Sequence, residues 1–377
     1  MAGIYIHIPF CRGKCLYCDF YSVGTLLLGN DWAEKYALAA RRELDCRIKE
    51  LMGESIRTIY IGGGTPSLLP ADSLRYIVNV IDTNAVEEFT IEVNPDDVNE
   101  ERARQWAALK VNRVSMGVQS FVDGELQAVG RRHTAVQAEN AFHLLRRHFS
   151  NVSIDLIFGL PGQTSESWAY TLDKAVSLRP QHISAYTLMY EPGTVLTRLI
   201  EAHKINPVGD ETIIEMYGML AETMRANGYN HYEISNFALP SHESRHNLSY
   251  WKGDAYLGIG PGAHSFNGKN IRRANPSKLK EYVSFFDGNQ KECFYKEEKL
   301  GTTELREEMI LTRLRMSTGL PLKEYGDKFG EEALSVLLRC ADNEIKENRL
   351  EIKSEALILT GEGLMVSDRV ILALADF

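Results

Sequence analysis

No stretch of the chain approaches the ~20 consecutive apolar residues that a membrane span requires. The N-terminus lacks a basic segment followed by an apolar one, so no export signal is expected. An excess of positive charge is missing too: 42 Lys and Arg stand against 51 Asp and Glu, a net charge of −9. That balance suits neither a nucleic-acid backbone nor any other polyanion, and no nucleic-acid partner is expected. Cysteine is scarce, six in 377 residues, which excludes a disulfide-stapled scaffold and points to a reducing compartment. Repeats and low-complexity segments are absent. What is present is an ordinary folded composition, 44% hydrophobic and 25% charged, long enough for two or three domains or for one α/β barrel and little else. The expectation is a cytoplasmic protein whose cysteines are ligands rather than staples.

Over the first half, short β-branched runs alternate with longer helical patterns. Strands are expected at Gly3–Pro9, Ser55–Ile61, Glu88–Asn94, Arg113–Val118, Val152–Phe158 and His182–Leu188. Helices are expected at Asp31–Met52, Pro70–Asp82, Glu100–Leu109, Thr134–Phe149 and Ser165–Ser177, the first opened by Asp31 as N-cap. Six near-continuous apolar strands followed by helices imply a parallel sheet, two units short of a closed eight-stranded barrel. Polar and glycine-rich residues cluster past the C-terminal ends of these strands, where α/β folds carry their sites. The fold class expected is α/β, a partial (β/α)6 barrel over 1–195, a connecting α+β region over 196–300, and a small winged-helix-like domain over 301–377. The connecting region opens with an amphipathic helix at Glu211–Asn227, then turns rich in aromatics, His and Gly from Tyr229 to Arg273. The last region reads helix, short helix, helix, β-wing at Leu350–Leu359, helix. With ten basic and fifteen acidic residues over 302–377, it reads as a packing or partner-binding module rather than a DNA reader.

Three of the six cysteines lie within eight positions. Cys11-Arg-Gly-Lys-Cys15-Leu-Tyr-Cys18 sets C-x3-C-x2-C directly after the first strand. Three thiolates on so short a loop can hold three irons of a cubane cluster and leave the fourth iron open to a small molecule. Lys14, between the ligands, offsets part of the negative charge. The alternatives are a zinc site, which needs a fourth ligand such as His7, and three unrelated thiols. Gly62-Gly63-Gly64-Thr65-Pro66 ends the second strand, and its bare backbone N–H groups suit an amino-acid carboxylate or a plain tight turn. Glu92, Gln119 and Asp155 are polar residues at strand tops, readable as ligand contacts or as a hydrogen-bond layer.

The cysteine loop, with the aromatic Tyr17 before its last thiol, resembles the signature of the radical S-adenosylmethionine (SAM) superfamily. The resemblance implies a [4Fe-4S] cluster on Cys11, Cys15 and Cys18, with SAM on the open iron. Cleavage of SAM to a 5′-deoxyadenosyl radical and a (β/α)6 barrel are implied with it. Tyr5-Ile-His-Ile-Pro-Phe-Cys11, the GGGTP turn, EVNP, GVQSF, Arg131, SIDLIFGLPGQT and the run His182–Glu191 together resemble one subfamily, over essentially the whole chain. It holds the oxygen-independent coproporphyrinogen III dehydrogenase and the haem chaperones of the HemW family. Carried over, Tyr5, Gly63, Glu92 and Met189 match positions contacting cluster-bound SAM. Gly64, Thr65, Gln119, Arg131 and Asp155 match positions around a second SAM or a substrate. Arg131 also reads as ordinary surface charge beside Arg132.

Two departures separate this chain from the dehydrogenase pattern. A fourth Cys two residues after the third is replaced by Phe20, in the Cys-Asp-Phe that haem chaperones carry, and no N-terminal extension precedes the first strand. His246-Asn-Leu-Ser-Tyr-Trp251 resembles the chaperones' H-N-x-x-Y-W motif, and offers an imidazole for iron beside flat rings for a porphyrin. His246 is therefore the haem candidate, with His231, His242 and His264 as rivals. Gly258-Ile-Gly-Pro-Gly-Ala-His264 reads as a loop near the pocket. No C-x-x-C-H supports a covalent haem link. Cys46, Cys293 and Cys340 read as isolated buried residues. The resemblance implies haem as cargo and a haem-accepting respiratory enzyme as partner, with peripheral membrane contact. The other function it implies is oxidative decarboxylation of coproporphyrinogen propionates.

Overall fold

The computed structural model describes residues 1–51, 53–288 and 294–375, so Cys293 lies outside the described residues. The six expected strands are β1 (Ala2–Ile8), β2 (Ile56–Gly63), β3 (Glu88–Val93), β4 (Arg113–Gln119), β5 (Asn151–Phe158) and β6 (His182–Thr187). They pair in parallel and in sequence order, with Ile4 beside Ile59, Ile59 beside Phe89 and Ile91 beside Val114. Helices α1 (Trp32–Arg47), α2 (Ala71–Val78), α3 (Glu100–Ala108), α4 (Asp123–Ala128), α5 (Ala135–His148) and α6 (Ser165–Ser177) connect them. Of these only α4 was not expected; its six residues are too few for a periodic signal. Thr134 caps α5 in a capping box with Gln137, whereas the Asp31 side chain makes no capping bond to α1.

The sheet does not stop at six strands. After α7 (Val195–Glu201) and α8 (Asp210–Ala226), β7 (Asn230–Glu233) and β8 (Asn236–Ala238) extend it antiparallel beyond β6. Past the short helix α9 (Arg245–Trp251), β9 (Ala255–Ile259) joins the other edge in parallel with β1. Then β10 (His264–Phe266), β11 (Ile271–Ala274) and, after α10 (Leu279–Asp287), β12 (Lys296–Lys299) continue outward antiparallel. Among the described residues this gives one open twelve-stranded sheet, ordered β12-β11-β10-β9-β1-β2-β3-β4-β5-β6-β8-β7.

The strands are not apolar on both faces, as near-continuous hydrophobic runs had suggested. Ile4, Ile6, Ile59, Ile61, Phe89, Ile91, Val114, Met116, Val152, Ile154 and Ile183 are fully buried and form the core. The alternating positions are polar: Tyr5 and His7, Thr58 and Tyr60, Thr90 and Glu92, Arg113 and Ser115, Ser153 and Asp155, His182 and Ser184. A two-residue period assigns these to the opposite face. A closed barrel fills its interior with branched apolar side chains; here the corresponding face is a hydrogen-bonding surface. The same core takes in Met216, Leu220, Leu279 and Tyr282, so the connecting region packs as part of the sheet layer.

From residue 302 the chain builds a second core, including Ile310, Leu314, Tyr325, Leu337, Leu357 and Leu374. Its elements are α11 (Thr302–Leu314), β13 (Leu320–Pro321), α12 (Leu322–Phe329), α13 (Glu331–Lys346), the hairpin β14 (Leu350–Lys353) and β15 (Ala356–Leu359), α14 (Gly361–Met365) and α15 (Ser367–Ala375). The order β13-β15-β14 with helices before the hairpin is that of a winged helix.

Candidate functional site

Cys11 closes a two-residue strand, Phe10–Cys11, that pairs in parallel with Val23–Gly24, so the ends of the thiol loop are clamped together. The middle of the loop is pinned by backbone bonds from Leu16 N–H to the Val129 carbonyl (3.1 Å) and from Leu196 N–H to the Leu16 carbonyl (2.9 Å). Leu16 and Tyr17 pack on a small cluster of Val129, Ile157, Leu160, Leu188 and Leu196. Apolar anchors thus hold the loop at the ends of β4, β5 and β6.

A chain of polar contacts joins two of the thiols. Cys11 Sγ lies 3.4 Å from Thr65 Oγ1, which accepts from Asn94 Nδ2 at 3.2 Å. Asn94 Oδ1 accepts from Arg131 Nη2 at 2.9 Å, and Arg131 Nη1 reaches Cys15 Sγ at 3.6 Å. Arg131 is therefore no surface charge: it is held between the Gly117 carbonyl, Asn94 and Cys15, and its Nε is buried with no partner. Asn94 was missed, although it stands in the Glu-Val-Asn-Pro stretch. Its signal is weak because an Asn before Pro is also ordinary turn chemistry. Burial pushes the Cys18 thiol up to about 11, opposed by a backbone bond with Phe20 and by Lys14.

Among the described residues no three His, Cys, Asp or Glu side chains gather about a single ion. Thiolates that each take a different iron of a cubane need not converge in that way. The donor set fits such a cluster, since three thiols share one clamped loop with Arg131 and Lys14 beside them.

The glycine turn is shaped by close approach. Gly63 has φ +113°, and a Cβ on Gly64 would stand 2.7 Å from the Phe10 carbonyl oxygen, so the turn packs directly on the backbone entering the thiol loop. Gly63 N–H and the Tyr60 hydroxyl donate to the Glu92 carboxylate at 3.1 and 2.8 Å. Burial raises Glu92 to about 7, with Asp155 adding to the rise against those two bonds. Asp155 is raised too, chiefly by burial, while Ser184 and Ser115 oppose it; Ser115 Oγ lies 3.1 Å away. Tyr5 hydroxyl lies 3.0 Å from His7 Nδ1, and His7 Nε2 is 2.9 Å from the Tyr21 carbonyl. Gln119 holds a left-handed backbone, φ +70°, at a register shift beside β5. Its amide folds over Gly117, where a Cβ would meet it at 2.8 Å. Tyr5, Gly63, Glu92, Gln119, Arg131 and Asp155 thus belong to one polar surface of the sheet or to its rim. Met189, on the loop after β6, is 63% exposed.

His246 is placed otherwise than its motif suggested. The imidazole is 1% exposed, with Nδ1 2.7 Å from Thr58 Oγ1 and Nε2 2.8 Å from the Tyr250 hydroxyl. It stacks on Tyr60 at 5.1 Å, and burial with Arg113 nearby lowers its pKa to about 3. Both imidazole nitrogens are engaged in hydrogen bonds in the unliganded chain. The cause lies in α9, whose first N–H groups, of Arg245 and His246, both donate to the buried Glu88 carboxylate at 2.9 Å. Those bonds fix the start of α9 with His246 against the sheet, and Tyr250, one turn further on, packs beside it at 4.9 Å between ring centres.

Tyr250 and Trp251 line a cavity of about 900 Å³ that also touches Tyr5, Phe20, His264 and α11. Of the rival histidines, His231 stacks on Phe237 and lies 3.1 Å from the Ile234 carbonyl, and His242 lies beside the Pro240 carbonyl. His264 alone among them lines the cavity, and its side chain is exposed. Cys46 is exposed and Cys340 half-buried, contrary to the buried pair expected. Among the described residues no helix is long and apolar enough to cross a membrane.

A clamped C-x3-C-x2-C loop at the strand ends of an open parallel β/α sheet defines a radical-SAM protein, and the Radical SAM superfamily model matches residues 5–175. The chain is 35% identical to the haem chaperone HemW of Bacillus subtilis, over 98% of both chains. It is 32% identical to that of Mycobacterium tuberculosis, over 98% of this chain and 93% of the relative. The mitochondrial radical S-adenosyl methionine domain-containing protein 1 of Danio rerio is 30% identical over 98% of this chain and 86% of its own. Within the superfamily, the chain belongs to the HemW family. Among solved structures, coproporphyrinogen III oxidase (HemN) of Escherichia coli superposes with a TM-score of 0.83 at 21% identity, covering 99% of this chain and 90% of that one. That likeness is one of fold.

Proposed function

We propose that the chain is a haem chaperone: it binds haem and passes it to an acceptor protein. The observation that carries the reading is the likeness to the Bacillus subtilis chaperone along 98% of both chains. The thiol loop supports a [4Fe-4S] cluster on Cys11, Cys15 and Cys18. Such a cluster, with one iron free of protein ligands, supplies a site for SAM and an electron for its cleavage. This chain's own part is to hold that ligand. Gly63 and Gly64 present bare backbone, Glu92 accepts hydrogen bonds beside them, and Tyr5, Gln119 and Asp155 line the approach. Arg131 and Thr65 hold the thiols in register. With a value of about 7, Glu92 stands near the boundary of ionisation at neutral pH, and a bound ammonium would draw it to the carboxylate form. The dehydrogenase reading has less support, since position 20 is Phe rather than Cys.

The test is a haem titration of the anaerobically reconstituted chain, followed by Soret absorbance. Saturation at one haem per chain, with transfer of that haem to an apo-acceptor, is the expected result. Failure to bind haem, together with conversion of coproporphyrinogen at the expense of SAM, would replace the chaperone by the dehydrogenase.

A further inference from the structure

The turn after β3, Asn94-Pro-Asp-Asp97, sends three side chains to three separate parts of the thiol-loop surround. Pro95 opens it, and the Asp97 N–H closes it on the Asn94 carbonyl at 3.0 Å. Asn94 bridges Thr65 and Arg131, and Asp96 accepts from Arg132. The Asp97 carboxylate turns inward and is fully buried. Its Oδ2 accepts from Ser67 Oγ at 2.9 Å, and its Oδ1 from Arg102 Nη1 at 3.2 Å. The same Oδ1 pairs with Arg12 Nη2 at 3.0 Å.

Arg12 follows the first thiol directly, and the stretch it begins has little else to lean on. Gly13 and Lys14 are exposed, and a Cβ on Gly13 would meet nothing within 4 Å. Among the described residues, the Arg12 guanidinium is the side-chain tie between this stretch and the sheet. A carboxylate taken out of water is costly unless it is paired, and Asp97 is paired twice. The two cations hold different things. Arg102 belongs to α3, the helix that continues from the turn, whereas Arg12 belongs to the loop that carries the sulfurs. Ser67 lies just past the glycine turn, two residues from Thr65, which meets Cys11. One buried carboxylate therefore ties together the thiol loop, the glycine turn and α3.

We infer that Asp97 is a positioning residue for the cluster: through Arg12 it fixes the backbone between the first two thiols and so sets how firmly iron is retained. The inference rests on the cluster reading of the thiol loop. A cluster with one open iron has only three protein ligands, so release of a single thiolate leaves it on two. Groups that orient metal ligands without touching the metal govern its retention strongly. The Arg12–Asp97 pair has that place here, one residue from Cys11 and three from Cys15.

The test compares the wild-type chain with Arg12→Ala, Arg12→Lys, Arg102→Ala and Asp97→Asn. Two quantities are read: release of iron to a chelator after anaerobic reconstitution, and amide hydrogen exchange over residues 11–18 in the iron-free chain. Arg12→Ala is expected to release iron roughly tenfold faster and to speed exchange in the loop. Its unfolding midpoint should stay near the wild-type value, because Arg12 is 45% exposed and Asp97 keeps Arg102. Arg12→Lys is expected to recover most of the wild-type behaviour, since the contact is one of charge and an ammonium supplies it too. Arg102→Ala is expected to lower the unfolding midpoint and leave iron release unchanged. Asp97→Asn is expected to match Arg12→Ala in iron release, and combining the two to add nothing further. Arg12→Ala with wild-type release and exchange overturns the inference and leaves the cluster reading standing. Arg102→Ala losing iron as fast as Arg12→Ala overturns it as well, because general stability then explains the loss. A wild-type chain that retains no iron after reconstitution removes both readings.

Discussion

The thiol loop and the His246 helix are the two most conspicuous motifs in the chain, and the fold handles them in opposite ways. The thiol loop is held from outside. Apolar contacts through Leu16 and Tyr17 and a polar thread from Thr65 to Arg131 tether it, and two of its three sulfurs are only half-buried. The His246 helix is held from inside. Its most reactive side chain is spent on Thr58 and Tyr250, stacked on Tyr60 and shut from solvent. One arrangement keeps donors available and the other consumes them. A run of chemically able residues tells which groups are near one another, not which of them face a ligand.

The largest effect that can break this comparison is at the thiols. Cys15→Ala should bring the iron and sulfide retained after anaerobic reconstitution down to background, because two thiolates on one loop do not hold a cubane. Its effect on unfolding should be small, under about 1 kcal/mol, since a half-buried side chain without a core contact carries little stability. His246→Ala should do the reverse. It leaves Thr58 Oγ1 and the Tyr250 hydroxyl without their partner and opens a cavity beside Tyr60, costing about 2–4 kcal/mol. Denaturant unfolding should show the loss, while reconstituted iron content stays at the wild-type level. If His246→Ala instead left stability unchanged and abolished haem binding, the sealed placement of His246 would be wrong.

What could be read from residue order divides along the same line. The six parallel strands and their helices follow from periodicity, and the ends of these elements fall within a few residues of expectation. The added strands β7 to β12 did not stand out. They are three to five residues long, and pairing of β9 with β1 joins segments some 250 positions apart, which no local pattern encodes. The polar face of the sheet was overlooked for a different reason. Its alternation, as in Thr90-Ile-Glu92 and Ser153-Ile-Asp155, was in view, but a rule for strands buried on both faces was applied to a sheet with one polar face. Site residues at strand ends were legible because fold and motif agree there. The orientation of His246 was not, because it depends on Glu88, more than 150 residues away.

The buried titrating groups sharpen the comparison through pH. Glu92, raised to about 7 by burial, favours the folded state fully only below the ordinary glutamate value. That contribution is lost as pH rises from about 4.5 through 7. His246, lowered to about 3 by burial, acts on the other limb: stability is complete above about 6.5 and is lost as pH falls through the folded value. In the unliganded chain, His246→Ala should flatten the acid limb between about pH 3 and 6.5. Glu92→Gln should flatten the limb between about 4.5 and 7, by about 2 kcal/mol across that range. The glutamine can still accept from Tyr60 but cannot offer a second acceptor to Gly63 N–H, so the slope of stability with pH, not its absolute level, is the informative reading. An unchanged slope in Glu92→Gln would mean that the carboxylate is already hydrated in the folded chain.

The smallest expected effect concerns a thiol outside both motifs. Cys46 lies on the exposed side of α1, whereas Cys11 is buried against Thr65. A soluble alkylating reagent should label Cys46 in the native, cluster-loaded chain, and peptide mapping should find Cys11, Cys15 and Cys18 unlabelled until the iron is chelated. Cys46→Ser should change stability by no more than about 0.5 kcal/mol, as expected of an exposed position without a specific contact. It should also leave iron content and haem affinity unaltered. Labelling of Cys15 or Cys18 in the loaded chain would show that those sulfurs are free, and the tethered loop would then lose its distinction from an ordinary surface thiol.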